Sequence, residues 1–201
     1  MAGHVMVEVA PEAVRVTEVY VLAVDAPVAA RPEEPWIPVP DGAQALEVER
    51  GEELLRPVDG GFALAHDIEP GELPLAFTYI VPAEEGRCVI AHRLPFSVVA
   101  LHVMWPDGAP VTIQAMGFTD RGTVQMGPRP MHLLEREAFA VGERLVLVTS
   151  ISADASMAEA EEVPARDPLG VLRVITLVVS VLLLLAGFIL PATGRWPWSS
   201  S

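Results

Sequence analysis

The stretch LPLAFTYIVP, residues 73–82, decides the fold, because apolar side chains occupy every second position in it. Successive side chains of a β-strand point to opposite faces, so this spacing puts five of them on one face: Leu73, Leu75, Phe77, Tyr79 and Val81. A Pro-Gly pair, which is typical of a turn, precedes the stretch. The segment therefore predicts a strand with one buried face, and we expect the Tyr79 hydroxyl to anchor a corner of the domain.

Alternating segments of the same kind recur on both sides of this strand. HVMVEVA, VRVTEVYVLAV, QALEVER and GGFALAHDI precede it, and CVIAHRLPF, SVVALHVMW, VTIQAMGF and ERLVLVTSI follow it. Turn signals separate them about every 8–12 residues, which is typical of sandwiches and barrels. WPDGAP predicts a turn with VTIQAMGF as its return strand, and residues 133–143 predict a helical turn or an irregular strand. We expect residues 1–151 to be mainly β and to form a single antiparallel β-sandwich of the immunoglobulin-like kind.

The chain has one long apolar run, close to its C-terminal end. From Val174 through Leu183 to Leu190 the residues are apolar except for Thr176 and Ser180. The uncharged stretch covers residues 174–194, and at about 1.5 Å per residue it spans about 30 Å, the hydrocarbon thickness of a bilayer. A buried helix of a water-soluble domain is the alternative, but such a helix normally carries a polar stripe. We expect one transmembrane helix within residues 169–194.

The residues around this run fit a membrane border. Arg173 and Arg195 can extend their charges to the two bilayer surfaces, and Trp196 and Trp198 are typical of the interfacial belt. Residues 152–168 are small, acidic and contain two prolines, which predicts a linker. Residues 195–201 form a short tail. The lipid bilayer is therefore one expected partner.

Charge and motifs exclude several classes of function. The formal net charge is −14, and a nucleic-acid-binding surface would need an excess of basic groups, so we expect no nucleic-acid partner. The single cysteine, Cys88, allows no disulfide within the chain and is expected to be buried. The sequence contains no GxSxG, HExxH, CxxC or phosphate-binding glycine loop. We expect a protein that is not an enzyme and that carries no catalytic residues or resident cofactor.

One candidate metal site is an exception to the expected absence of a cofactor. His102 and Met104 share a strand face, and imidazole and thioether ligands suit copper(I). Further ligands could come from elsewhere in the chain: Met116, Met126, Met131 and His132. The alternative is that the methionines fill the core and that all five histidines are ordinary strand or loop residues.

Four segments carry a resemblance to known proteins: VTEVYVLAV, WIPVPDGAQALEV, DGGFALAHDIEPGELPLAFTYIVP and HRLPFSVVALHVMWPDG. The matching positions are turn and core residues: Val19–Tyr20, Pro40–Gly42, Phe62, Pro70–Gly71, Phe77, Tyr79, Leu94–Pro95 and Pro106–Gly108. These segments resemble a loosely defined group of bacterial membrane-anchored β-sandwich proteins, usually labelled carboxypeptidase-regulatory-like. The resemblance covers about residues 5–120 and the C-terminal helix, and some such proteins are associated with c-type cytochrome assembly. It implies an extracytoplasmic sandwich with a C-terminal membrane anchor.

The sequence gives opposing signals about which side of the membrane the β domain occupies. The N-terminal residues MAGHVMVEVAP lack the basic and apolar regions of a secretory signal. Arg166 and Arg173 precede the helix and Arg195 follows it, which by the positive-inside rule weakly favours a cytoplasmic domain. The resemblance favours the outside, and we expect a single-pass protein of the bacterial cell membrane with an extracytoplasmic domain.

Three functions follow from these patterns. The first is a membrane-tethered, non-catalytic binding or scaffold module with a protein partner in the bacterial envelope. The second is an accessory factor that handles copper or haem in cytochrome assembly. The third is a tail-anchored cytoplasmic adaptor.

Overall fold

The computed structural model describes residues 2–10 and 12–152, and every regular element in them is a β-strand. The strands are β1 (Ala2–Ala10), β2 (Ala13–Val24), β3 (Ile37–Pro38), β4 (Gln44–Arg50), β5 (Leu55–Val58), β6 (Gly61–Leu64), β7 (Gly71–Pro82), β8 (Arg87–Arg93), β9 (Val98–Pro106), β10 (Val111–Ala115), β11 (Thr119–Met126), β12 (Arg129–Phe139) and β13 (Arg144–Ile151). The mainly β prediction is therefore confirmed for this part of the chain.

The predicted membrane segment lies outside the described residues. This applies to the linker beyond Ser152, to the helix through Val174, Leu183 and Leu190, and to the short tail. It applies equally to the predicted interfacial residues: Arg173, Arg195, Trp196 and Trp198. Within residues 2–10 and 12–152, no helix is long and apolar enough to cross a membrane.

The strands form three sheets. A seven-stranded sheet has the order β11-β12-β9-β1-β2-β7-β4, and two three-stranded sheets have the orders β10-β13-β8 and β3-β6-β5. The expected antiparallel pairing holds throughout the described strands except between β1 and β9, which run parallel. Parallel neighbours need a long connection, and here β2 to β8 intervene along the chain. An alternating pattern is the same for both directions, so the sequence could not reveal this pair.

Strand β7, which contains the stretch LPLAFTYIVP, pairs with β2 from Gly71 to Pro82 and with β4 on its other side. All five side chains of its predicted inner face are buried: Leu73, Leu75, Phe77, Tyr79 and Val81. They belong to one hydrophobic core to which all three sheets contribute. Phe62 of β6 packs against Phe77 with ring centroids 4.9 Å apart, and this contact joins two of the sheets.

Two local predictions needed the structure to decide them. The chain does turn tightly after β9, where the Ala109 amide donates to the Pro106 carbonyl. However, β10 does not return beside β9; it pairs with β13 in another sheet, so the predicted hairpin is wrong. Residues 133–139 are the second half of β12, and a turn follows them, so the strand alternative holds there.

Candidate functional site

The sequence His-Val-Met occurs twice, once in β1 and once in β9. The two strands are adjacent and parallel, and their register pairs His4 with His102 and Met6 with Met104. The valines between them are fully buried in the main core, so the histidines and methionines project from the opposite, outer face of the seven-stranded sheet. Two equivalent His-Met pairs therefore stand side by side.

The two imidazoles of this cluster face each other. The Nδ1 atoms of His4 and His102 are 3.4 Å apart, and the ring centroids are 5.1 Å apart with the planes tilted by 34°. Burial, and then the proximity of His102, lower the pKa of His4 from 6.5 to about 4. His4 is therefore neutral at neutral pH and keeps a lone pair on one ring nitrogen.

A carboxylate from the next strand supports His102. Glu135 of β12 is the register partner of His102, and its Oε1 atom lies 3.4 Å from Nε2 of the imidazole. Arg121 donates from Nε to Oε2 of Glu135 at 2.7 Å, and this hydrogen bond is the first of several that lower the pKa of the carboxyl. When Nε2 of His102 carries the proton toward Glu135, its Nδ1 presents a lone pair to His4.

The side chains of this cluster are only partly exposed to solvent. The side chains of His102 and Glu135 are 24% and 23% exposed, and His4 and Met6 are also partly exposed. Met104 is 4% exposed, although it does not belong to the main hydrophobic core. The cluster is a half-buried patch of imidazole and thioether groups on a sheet face.

Of the four other ligands suggested by the sequence, Met116, Met126 and His132 do not join His102 and Met104, and Met131 is the register partner of Pro106 in β9. Met116 lies in the turn after β10 and is 79% exposed, and Met126 ends β11. His132 stacks on Trp105, with centroids 4.4 Å apart, and its Nε2 atom is 2.9 Å from the Asp120 carboxylate. Trp105 follows Met104 in its strand, so His132 lies on the other face of the sheet.

Sequence reasoning identified half of this cluster and missed His4 and Met6. The repeated His-Val-Met triplet was the available signal, but the sequence did not show that its two copies pair. Among the described residues, no group of three or more His, Cys, Asp or Glu side chains could hold a metal ion. Any metal site here would therefore depend on the methionine sulfurs.

A second polar cluster lies inside the core. Glu18 of β2 is fully buried, and its carboxylate accepts hydrogen bonds from the hydroxyls of Tyr20 at 2.5 Å and Tyr79 at 2.6 Å. The Nε2 atom of His92, in β8, is 2.8 Å from Oε1 of Glu18 but poorly aligned for a hydrogen bond, so the contact is an ion pair. The predicted corner role of Tyr79 is wrong, because its hydroxyl bonds this buried carboxylate.

The charges of Glu18 and His92 stabilise each other. Burial raises the pKa of Glu18, but the His92 charge and the hydrogen bonds from Tyr20 and Tyr79 outweigh it, so the pKa lies below 4.5. Burial lowers the pKa of His92, but the Glu18 charge outweighs it and the pKa lies above 6.5. Both groups are therefore ionised between these values, and the tyrosine hydroxyls complete a buried structural network.

The sheet edges differ in regularity. Strands β4 and β11 end the seven-stranded sheet, and each carries a register shift. Strand β8 ends another sheet and pairs with β13 without a shift from Arg87 to Arg93. On its exposed face Val89 is 54% accessible. Bulges protect an edge from pairing, so β8 is the longest regular edge of these two sheets.

Neither a known family model nor a curated protein matches this chain. The resemblance to carboxypeptidase-regulatory-like proteins therefore stays a prediction. Two features of the described residues bear on function: the His-Met cluster and the edge of β8.

Proposed function

We propose that the protein is a membrane-tethered β-sandwich of the carboxypeptidase-regulatory-like kind, acting as a non-catalytic binding module in the bacterial envelope. Its three sheets around one core support the sandwich architecture. The apolar run from Val174 to Leu190 supports the tether. A tether confines the domain to the plane of its partners and raises its effective concentration there.

The regular edge of β8 carries this proposal. An edge strand presents unpaired backbone N–H and C=O groups, and an extended segment of another protein can add to it as a further strand. Side chains alternate along β8, so that Cys88, Ile90 and His92 are buried while Val89 and Arg93 are exposed. The partner is an extended segment of an envelope protein, which contacts Val89 with an apolar side chain and Arg93 with an acidic one.

Site-specific photo-crosslinking tests the edge in living cells. A photoreactive amino acid is placed at Val89 or Arg93 of the full chain, and Val141, an exposed loop residue, is the matched control. We expect both β8 positions to link to one partner segment at sites four residues apart, as strand pairing requires. Crosslinks scattered over unrelated proteins, or equal yields from Val141, would contradict strand addition.

Protease treatment of intact spheroplasts tests the location. We expect protease added outside to digest the β domain of the full chain. Protection of the domain until the membrane is permeabilised would support the cytoplasmic adaptor instead.

The paired His-Val-Met triplets favour a second candidate function, the accessory factor that handles copper. His4 and His102 lie side by side, and so do Met6 and Met104, which gives the domain the nitrogen and sulfur donors that copper(I) prefers. Haem handling has no comparable feature among the described residues.

A further inference from the structure

The two histidines and two methionines of the cluster are placed so that one ion can contact all four. Adjacent strands lie about 4.8 Å apart and residues i and i+2 about 6.6 Å apart. His4, Met6, His102 and Met104 therefore rise from the corners of a small rectangle on one sheet face. Histidine and methionine side chains are long enough for an ion above the centre of that rectangle to contact all four.

The spacing of the imidazole nitrogens fits a metal. Two nitrogens each about 2.0 Å from a tetrahedral ion lie about 3.3 Å apart. The Nδ1 atoms of His4 and His102 are 3.4 Å apart. The two rings thus already hold the separation that a shared tetrahedral ion requires.

A carboxylate and an arginine next to His102 support the proposed metal site. A metal-binding histidine commonly donates its other N–H to a carboxylate, which fixes the ring and raises its basicity. Glu135 stands in that position next to Nε2 of His102, and Arg121 holds the carboxylate on its other side. Arg121 and Glu135 balance each other's charge, so the site favours an ion of low charge.

The donor set selects the metal. Thioether sulfur is a soft ligand that suits copper(I), whereas zinc sites use thiolate, imidazole and carboxylate groups. All four donors here are neutral when His4 and His102 are unprotonated, and Met104 is buried. A monovalent soft ion costs less to bind in such surroundings than a divalent one.

We infer that His4, Met6, His102 and Met104 form a copper(I) site on the outer face of the seven-stranded sheet. The inference rests on the second candidate function and names its ligands. Glu135 is a positioning residue for His102 and does not bind the ion.

Competition with a chromogenic copper(I) chelator tests the site. The full chain, purified in detergent, is titrated with copper(I) without oxygen. We expect one tightly bound ion per chain and at least about tenfold weaker binding in Met6→Leu and in Met104→Leu, since leucine fills the space without a sulfur donor. Glu135→Gln should weaken binding about tenfold, because loss of a supporting carboxylate typically costs about 10–100-fold in affinity. Met116→Leu is the control and should bind like the parent chain.

X-ray absorption of the copper(I) form should show both nitrogen and sulfur ligands, and circular dichroism checks that each variant is folded. The inference is overturned if the chain does not compete with the chelator. It is equally overturned if Met6→Leu and Met104→Leu, both folded, bind as tightly as the parent; copper handling would then use other residues. Neither outcome affects the crosslinking at β8, so the binding-module proposal stands or falls separately.

Discussion

The Nε2 atom of His92 lies 2.8 Å from Oε1 of Glu18, although the two residues are only 4% and 0% exposed. Glu18 belongs to β2 of the seven-stranded sheet, and His92 belongs to β8 of a three-stranded sheet. The ion pair therefore joins two sheets across the core. The hydroxyls of Tyr20 and Tyr79 donate to the same carboxylate.

Removing one member of the pair should be costly. We expect His92→Leu to lower the free energy of unfolding by about 3–5 kcal/mol, because it leaves the Glu18 charge buried without its partner. The double variant with Glu18→Leu should lose less than the sum of the two single variants. Urea unfolding of the full chain followed by circular dichroism measures all three, and a loss below about 1 kcal/mol for His92→Leu would contradict a buried ion pair.

The same pair predicts how stability depends on pH. The pKa of Glu18 is lowered from 4.5, so its contribution is present above pH 4.5 and is lost as the pH falls further. The pKa of His92 is raised from 6.5, so its contribution is present below pH 6.5 and is lost as the pH rises through the higher folded value. The pair thus stabilises the fold most between pH 4.5 and 6.5.

The alkaline side gives the clearer measurement of this effect. The pKa of His4 is lowered, so its protonation in the unfolded chain also reduces stability as the pH falls below 6.5. We expect the free energy of unfolding to decline above pH 6.5 in the parent chain and to be nearly flat there in Glu18→Gln. Equal slopes in the two proteins would show that His92 does not depend on Glu18.

The two tyrosines should resist titration. Tyr20 and Tyr79 are the only tyrosines of the chain, and burial followed by the Glu18 charge raises the pKa of each well above 10. Ultraviolet difference spectra should therefore show no tyrosinate until the protein unfolds in alkali. Tyrosinate forming near pH 10 in the folded chain would place a hydroxyl outside the network.

The substitution Tyr79→Phe removes one hydrogen bond to the Glu18 carboxylate. It should lower the free energy of unfolding by about 1.5–3 kcal/mol, the value of a hydrogen bond to a charged group.

Gly60 and Gly61 are neighbours that differ in the space available to a Cβ atom, so alanine substitutions at the two positions can be compared directly. A Cβ atom at Gly61 would meet the carbonyl oxygen of Ile37 and would lie 2.9 Å from Cα of Pro38. Gly60 has a positive φ of 78° but nothing within 4 Å of such an atom. We expect Gly60→Ala to cost about 1 kcal/mol through its backbone conformation. Gly61→Ala should cost more than about 3 kcal/mol, because β3 would have to separate from β6. Thermal unfolding compares them, and equal losses would contradict the close approach.

The period-two pattern predicted nine of the described strands, because alternation depends on which side chains meet the core. It did not predict β3, β5 or β11, and it left β12 open between a helical turn and an irregular strand. Strand β4 has the bounds of QALEVER, and the inner face of β7 is the predicted one. The partner of each strand could not be predicted in this way. The sequence next to the turn at Pro106 suggested a hairpin, but the chain crosses to β13 because Val111 and Ile113 bury their side chains in the common core there.

The contacts within the candidate sites could not be predicted from the sequence either. His102 and Met104 stood out in the sequence because imidazole and thioether groups share a strand face. Their pairing with His4 and Met6 depends on a parallel contact between strands 98 residues apart. Glu18 shares a strand face with the buried Val16 and Tyr20, but the sequence did not show that Tyr79 and His92 would lie next to its carboxylate.

By itself, the sequence determined that residues 2–10 and 12–152 fold mainly as strands with Phe77 and its neighbours inward, because hydrophobic alternation is a local property of the chain. It also determined the donor chemistry of each His-Val-Met triplet. Tertiary structure alone decided that the two triplets lie in register and that a charged pair sits inside the core. Such contacts join residues distant in sequence, and their free energy depends on neighbours that no local pattern specifies.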